Sequence, residues 1–276
     1  KLTFMRTNYF TLIFMNETLF VAGIQSPLFW ENPIKNQEYF ETKITLLPAT
    51  IDLVILPEMF TSGFTMNAEK VAEKMNGNTI SWLQKLASKN NFAIAGSLII
   101  EENSKFYNRF VFVHPSGKID FYDKHHTFTL AGEDKMYTSG DKKTIVNFKG
   151  WKICPLICYD LRFPVWSRNT ENYDLLVYVA SWPIARIKAW DTLLKARAIE
   201  NMSYVIGVNR IGMDDNDYEY CGNSLIVDYL GTQLSDLQHN EEGVVLAKIN
   251  KKKQEDMREK LGFLKDMDSF SINYKQ

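Results

Sequence analysis

The chain has 276 residues, enough for one large domain or two small ones. Apolar residues make up 45% of it and aromatic residues 13%, while 32 basic side chains stand against 33 acidic ones. No basic block interleaves with aromatics, so a nucleic-acid surface is not expected. Three cysteines at irregular spacing argue against a disulfide framework and suit a reducing compartment, the cytoplasm. Four histidines, with no Cys-x-x-Cys or His-x-x-x-His pair, give a zinc site little support. The glycines form neither a dinucleotide fingerprint nor a phosphate loop, so no cofactor is expected.

In chain order, Phe10-Thr11-Leu12-Ile13-Phe14 is too short to span a bilayer, and no small-residue cleavage site follows it. Neither a membrane anchor nor a signal peptide is expected. Met15 directly precedes a first strand at Phe20 to Gln25, so residues 1–14 read as an upstream extension and 15–276 as a single domain. Further strands are expected at Leu53 to Leu56, Phe92 to Ile100, Arg109 to His114, Lys152 to Cys158, Asp174 to Ala180 and Ser203 to Val208. Several are apolar on both faces, as in strands covered by other layers. Between them, Gln37, Phe40, Ile44 and Leu47 fall at helical spacing after Pro33, as do Ile80, Leu83, Leu86 and Ala87 after Asn76-Gly77-Asn78. Strong helix formers fill Trp190 to Asn201. Ser224 to Tyr229 and Gly243 to Ile249 read as paired strands around a turn at Gly231, and Lys251 to Lys260 as a solvated helix. The pattern is that of an α/β domain with a mixed sheet.

Three of these strands run into reactive side chains. The stretch Ile153-Cys154-Pro155-Leu156-Ile157-Cys158-Tyr159-Asp160-Leu161-Arg162-Phe163-Pro164 is a branched apolar run ending in a thiol, with a proline fit to open a helix. Such an elbow lifts Cys158 above the sheet edge beside fresh backbone N–H groups, where it can attack a carbonyl. A free cysteine is equally at home as a small core residue. Glu58 follows Leu56-Pro57 and can take a proton from a thiol, or simply be a surface carboxylate. Lys124 follows a short alternating segment at Ile119 to Asp123 and can supply charge, or be a solvated cation. Cys154, four residues before Cys158, reads as core packing, and Cys221 as a loop residue without catalytic company. His125 and His126 are placed as well for packing as for chemistry.

Taken together, the ordered motifs resemble the nitrilase superfamily of carbon–nitrogen hydrolases. They are Leu56-Pro57-Glu58-Met59-Phe60, Tyr122-Asp123-Lys124-His125-His126, Ile157-Cys158-Tyr159-Asp160-Leu161-Arg162-Phe163-Pro164, Ala180-Ser181-Trp182-Pro183, Lys195 to Asn201 and Val208-Asn209-Arg210. The resemblance covers Leu19 to about Phe270. It implies a four-layer α-β-β-α sandwich and a Glu-Lys-Cys triad: Cys158 as nucleophile, Glu58 as general base, and Lys124 with the Tyr159 N–H holding the oxyanion. The second acidic residue of the family corresponds to Glu133, with Asp134 as its neighbour. The resemblance also implies a homodimer.

The sequence looks closest to the omega-amidase-like branch, through Lys124-His125-His126-Thr127-Phe128, Ala131-Gly132-Glu133, Ser181-Trp182-Pro183 and Arg186. That implies hydrolysis of the terminal amide of small dicarboxylic monoamides such as 2-oxoglutaramate. A small anionic amide calls for a cation in a tight pocket. Arg186 is the candidate, although it could equally pair with a neighbouring helix. Phe64, Tyr159 and Trp182 are expected to wall the pocket. The alternatives are another amidase or carbamoylase of the superfamily, and an idle binding module on the same fold.

Overall fold

The computed structural model describes residues 17–235 and 239–272. The expected start at Met15 and the extension before it lie outside those residues. β1 (Thr18–Gln25) leads to α1 (Pro33–Thr45), β2 (Leu53–Ile55), α2 (Ala68–Val71) and α3 (Asn78–Asn90). A meander follows of β3 (Ala93–Glu102), β4 (Lys105–Val113) and β5 (Ile119–Asp123). Next come α4 (Glu133–Met136), β6 (Val146–Phe148), β7 (Trp151–Ile157), α5 (Pro164–Ser167), β8 (Leu175–Ala180), α6 (Ile187–Asn201) and β9 (Tyr204–Asn209). The hairpin β10 (Ile211–Met213) and β11 (Glu219–Cys221), then β12 (Leu225–Val227), β13 (Gly243–Asn250) and α7 (Lys251–Leu261) complete the order.

These strands form two larger sheets rather than one. The six-stranded sheet runs β13-β1-β2-β3-β4-β5 and the five-stranded sheet β12-β9-β8-β7-β6. Their centres, β1-β2-β3 and β7-β8-β9, are parallel. Alternation along β1 explains the layering. Leu19 and Val21 join the core shared with the five-stranded sheet, whereas Ala22 and Ile24 pack with Phe40 and Ile44 of α1 and with Ile80 and Leu83 of α3. On the far side Trp190, Leu194 and Ala198 of α6 close the five-stranded sheet. The result is the four-layer α-β-β-α sandwich. Each such buried large aliphatic or aromatic side chain contributes about 1.5–3 kcal/mol relative to exposure. Two glycines permit the close approach: a Cβ at Gly23 would lie 2.6 Å from Val208 of the other sheet, and one at Gly207 2.5 Å from Leu194 of α6.

Local chemistry sets the helix starts. Asn32 caps α1 by accepting from the Lys35 N–H, and Pro33 opens its first turn. Asn250 caps α7 in the same way, accepting from Lys253 N–H.

Three expectations need correction. Ser224 to Tyr229 and Gly243 to Ile249 do not pair. β12 joins β9 in the five-stranded sheet, while β13 runs antiparallel to β1 in the other. Short alternating strands carry no signal for which open sheet edge will take them. β4 begins at Lys105 rather than Arg109, because pairing with β3 extends over Phe106, Tyr107 and Asn108. The helix at Lys251 is solvated on one side only: Gln254 is buried and donates to the carbonyls of Asp174 and Met202, and Lys251 pairs with Asp174 at 2.9 Å.

Candidate active site

The two sheets deliver their reactive groups from strand ends. In the six-stranded sheet, β2 stops before Pro57 and Glu58 is fully buried in the turn beyond. The next residue, Met59, has φ 44°, held by a bond from its N–H to the buried Ser97 hydroxyl at 2.9 Å. Lys124 comes directly after β5, its own N–H donating to the Asn108 carbonyl at 3.0 Å. In the five-stranded sheet, β7 ends at Ile157 and Cys158 opens a 3₁₀ segment, Cys158–Arg162, with φ 42°. That left-handed backbone costs a side-chain-bearing residue on the order of 1–3 kcal/mol, so the surroundings must hold it.

The side chains converge. Lys124 Nζ lies 2.9 Å from Glu58 Oε1 and 2.9 Å from each oxygen of Glu133. Glu133 is fully buried and also accepts from the Phe128 N–H, whereas Asp134 beside it is exposed. Asn108 donates to Glu58 at 2.8 Å and to Glu133 at 3.3 Å. Glu58 Oε2 takes the Ser181 N–H at 2.8 Å, from the turn after β8. The Cys158 thiol faces Glu58 and lies 4.0 Å from the Ser181 carbonyl oxygen.

The electrostatics follow from this crowding. Burial pulls the Lys124 ammonium down, but Glu133 and Glu58 outweigh it and hold Lys124 above the ordinary lysine range. Burial, with the repulsion of Glu58, lifts Glu133 above the usual carboxylate range against the pull of Lys124. Burial first and Glu58 second push the Cys158 thiol well above its ordinary range, and Lys124 only partly opposes them. The thiol is therefore neutral near pH 7 and needs a base before it can attack. A carboxylate against the sulfur can be that base, and an ammonium beside it can hold an oxyanion.

A cavity of about 470 Å³ opens above this cluster, with Lys124 and Cys158 in its wall. All four expected pocket residues, Phe64, Tyr159, Trp182 and Arg186, line it. Lys124 Nζ stands 5.2 Å over the Phe64 ring, and Tyr159 packs 4.9 Å from Phe128. The Trp182 indole N–H donates to the Arg186 carbonyl at 2.9 Å. The Arg186 guanidinium lies 5.2 Å over Phe128, and among the described residues it has no ion-pair partner.

Several neighbours were not singled out in the sequence. Arg162 lines the cavity with its guanidinium 4.8 Å over Trp182, giving the pocket a second arginine beside Arg186. It was visible as the basic residue of the elbow motif. Asn108 had a weaker signal, an amide beside Arg109 in a strand otherwise rich in aromatic and branched side chains. Ser181 acts through its backbone, which no side-chain pattern reveals. The remaining cysteines divide. Cys154 is buried in the core, its thiol pushed up to about 12 by burial. Cys221 is not in a loop but buried in β11, its thiol pushed up to about 11 by burial. His125 stacks on Trp166 at 3.9 Å and His126 on Phe163 at 3.6 Å, and each also hydrogen-bonds through ring Nδ1, to the Gly140 carbonyl and the Asp160 carboxylate.

Fold and site together define an α-β-β-α carbon–nitrogen hydrolase, and the Carbon-nitrogen hydrolase family profile matches residues 21–259. The chain belongs to that family. It is 42% identical over 255 residues to omega-amidase YafV of Yersinia enterocolitica, covering 92% of this chain and 99% of that protein. It is 33% identical to the 2-oxoglutaramate amidase of Bacillus subtilis, covering 90% of this chain and 96% of the other. The crystal structure of XC1258 from Xanthomonas campestris, a CN-hydrolase superfamily protein with an arsenic adduct in its active site, superposes with a TM-score of 0.90. It is 38% identical, over 93% of this chain and 99% of that one.

Proposed function

We propose that this chain hydrolyses the terminal amide of small dicarboxylic monoamides, of the 2-oxoglutaramate and 2-oxosuccinamate type, to the acid and ammonia. One observation carries the reading. Lys124, gripped at 2.9 Å by both Glu58 and Glu133, stands with Cys158 in the wall of a cavity that also holds two arginines without carboxylate partners among the described residues. The names of the YafV and Bacillus relatives support the same substrate class.

In the proposed mechanism Glu58 takes the Cys158 proton as sulfur bonds to the amide carbon. The carbonyl oxygen becomes an oxyanion, held by the Lys124 ammonium and the Tyr159 N–H. Tyr159 lies in the first turn of the 3₁₀ segment, where N–H groups have no acceptor within the helix. Removing one such donor costs on the order of 3 kcal/mol of transition-state stabilisation. Glu58 passes its proton to the amide nitrogen, the carbon–nitrogen bond breaks and ammonia leaves. Water then attacks the acyl-thioester, giving one proton to Glu58, and that proton returns to sulfur as the acid departs. Glu133 holds Lys124 charged and aimed. Arg186 and Arg162 face the substrate carboxylate, with Phe64, Tyr159 and Trp182 as walls.

The working form in this proposal is a cytoplasmic homodimer; three free cysteines suit a reducing compartment. No helix among the described residues is long and apolar enough to cross a membrane. Ammonia release from 2-oxoglutaramate and 2-oxosuccinamate, set against glutamine, carbamoyl amino acids and nitriles, tests the activity. A preference for the last two would assign another branch of the family. No turnover of any, with Cys158 inert to iodoacetamide, would make the chain a binding module.

A further inference from the structure

We infer that Asp160 is a positioning residue that locks Cys158 of one sheet against Lys124 of the other; the inference rests on the assignment of these two residues above. Asp160 is fully buried, and four donors occupy its carboxylate. Oδ2 accepts from the Tyr122 hydroxyl at 2.8 Å and the Ile157 N–H at 3.0 Å. Oδ1 accepts from His126 twice, the backbone N–H at 3.0 Å and ring Nδ1 at 2.8 Å. An ionised carboxylate offers about four such lone-pair sites, so none is left over.

The positions of the donors matter more than their number. Tyr122 and His126 lie two residues on either side of Lys124, the first in β5 of the six-stranded sheet and the second in the chain leaving it. Ile157 is the last residue of β7 in the five-stranded sheet, directly before Cys158. One carboxylate therefore clasps both strand ends that bear the reacting groups. The Tyr122 hydroxyl extends the clasp by accepting from the His125 N–H at 3.1 Å and the Trp166 indole N–H at 2.9 Å. Glu58 and Lys124 leave one sheet and Cys158 the other, so the gap between sulfur and ammonium is a gap between sheets. Sheets packed through apolar side chains can slide by fractions of an ångström, whereas charge-assisted hydrogen bonds fix distance and direction. The same grip holds Cys158 in its left-handed backbone, φ 42°.

The test is Asp160→Asn in the full chain, which sets an amide NH₂ among four donors at nearly unchanged volume. A displacement of about 1 Å at reacting atoms is worth about 100-fold in rate, so kcat should fall about 10- to 100-fold while KM stays near wild type. Alkylation of Cys158 by iodoacetamide, followed by intact mass, should slow in parallel. A lower Tm with unchanged kcat and alkylation rate per folded molecule would reduce Asp160 to a packing element and overturn the proposal. Should Asp160→Asn fail to fold, Tyr122→Phe removes one of the four donors and is read by the same two rates. Loss in both supports the clasp, and no change in either refutes it. If wild type releases no ammonia from any amide, the proposed reaction fails, but the alkylation rates still decide the role of Asp160.

Discussion

Glu58→Gln removes a charge and a proton acceptor while keeping the shape, so its cost can be worked out bond by bond. Oε1 accepts from Lys124 Nζ at 2.9 Å and Asn108 Nδ2 at 2.8 Å, and Oε2 from Ser181 N–H at 2.8 Å. A glutamine must turn its NH₂ toward one side or the other. Facing Ser181 opposes a single N–H, and facing Lys124 and Asn108 opposes two donors, so the first orientation wins. One opposed buried donor costs about 1–3 kcal/mol. The electrostatic change is milder than for an isolated buried pair, because Lys124 keeps both contacts to Glu133 and Glu133 loses a repelling neighbour. At about 2–4 °C per kcal/mol for a large domain, Tm should fall by no more than about 12 °C. Activity should suffer far more. The thiol is held neutral by burial, and Glu58 rather than the Lys124-bound Glu133 is the carboxylate hydrogen-bonded to it, so kcat should drop at least about 10²- to 10⁴-fold. Ammonia release, with circular dichroism and a thermal melt on the same sample, measures both. A folded variant turning over within about tenfold of wild type would refute the proton path through Glu58.

Arg186→Met should weaken an anionic monoamide relative to a neutral amide of the same length, by the about 1.5–3 kcal/mol of a hydrogen bond to a charged group. An unchanged ratio of kcat/KM values removes Arg186 from the carboxylate contact, and if Arg162→Met shifts the ratio instead, the pairing belongs there. Alkali should destabilise the fold through its buried thiols. Burial moves Cys154 from 9.0 to about 12, so between those values the folded state holds a proton that the unfolded state releases. Its contribution is complete below pH 9 and is lost as pH rises toward 12, reaching about 4 kcal/mol at the top of that window. Cys154→Ala should therefore flatten the fall of Tm between pH 9 and 11, and an equally steep fall in that variant would discount the thiol.

Much of the site was legible because it lies where local patterns change. Glu58, Lys124 and Cys158 each follow a strand; Pro57 precedes Glu58, and Cys158 itself takes a left-handed backbone. The roles of Asn108 and Ser181 were barely legible: one is a polar residue inside β4, and the other, though within a quoted motif, works through its N–H. The pairing of β12 and β13 was misread for a similar reason. Edge strands of three to eight residues are chosen by which sheet has unpaired N–H and C=O groups, a property of the assembled molecule.

The sequence by itself determined most of the longer strands and helices, because periodicity of two or of about 3.6 is a local property, while the short elements such as α2, α4, β6 and β11 escaped it. It also marked which side chains are candidates for reactive chemistry and which family they resemble. Only the tertiary structure decided that the strands divide between two sheets, that Glu133 rather than Asp134 grips Lys124, and that Arg162 joins Arg186 in the cavity. Those are distances between residues far apart in the chain, and packing sets them.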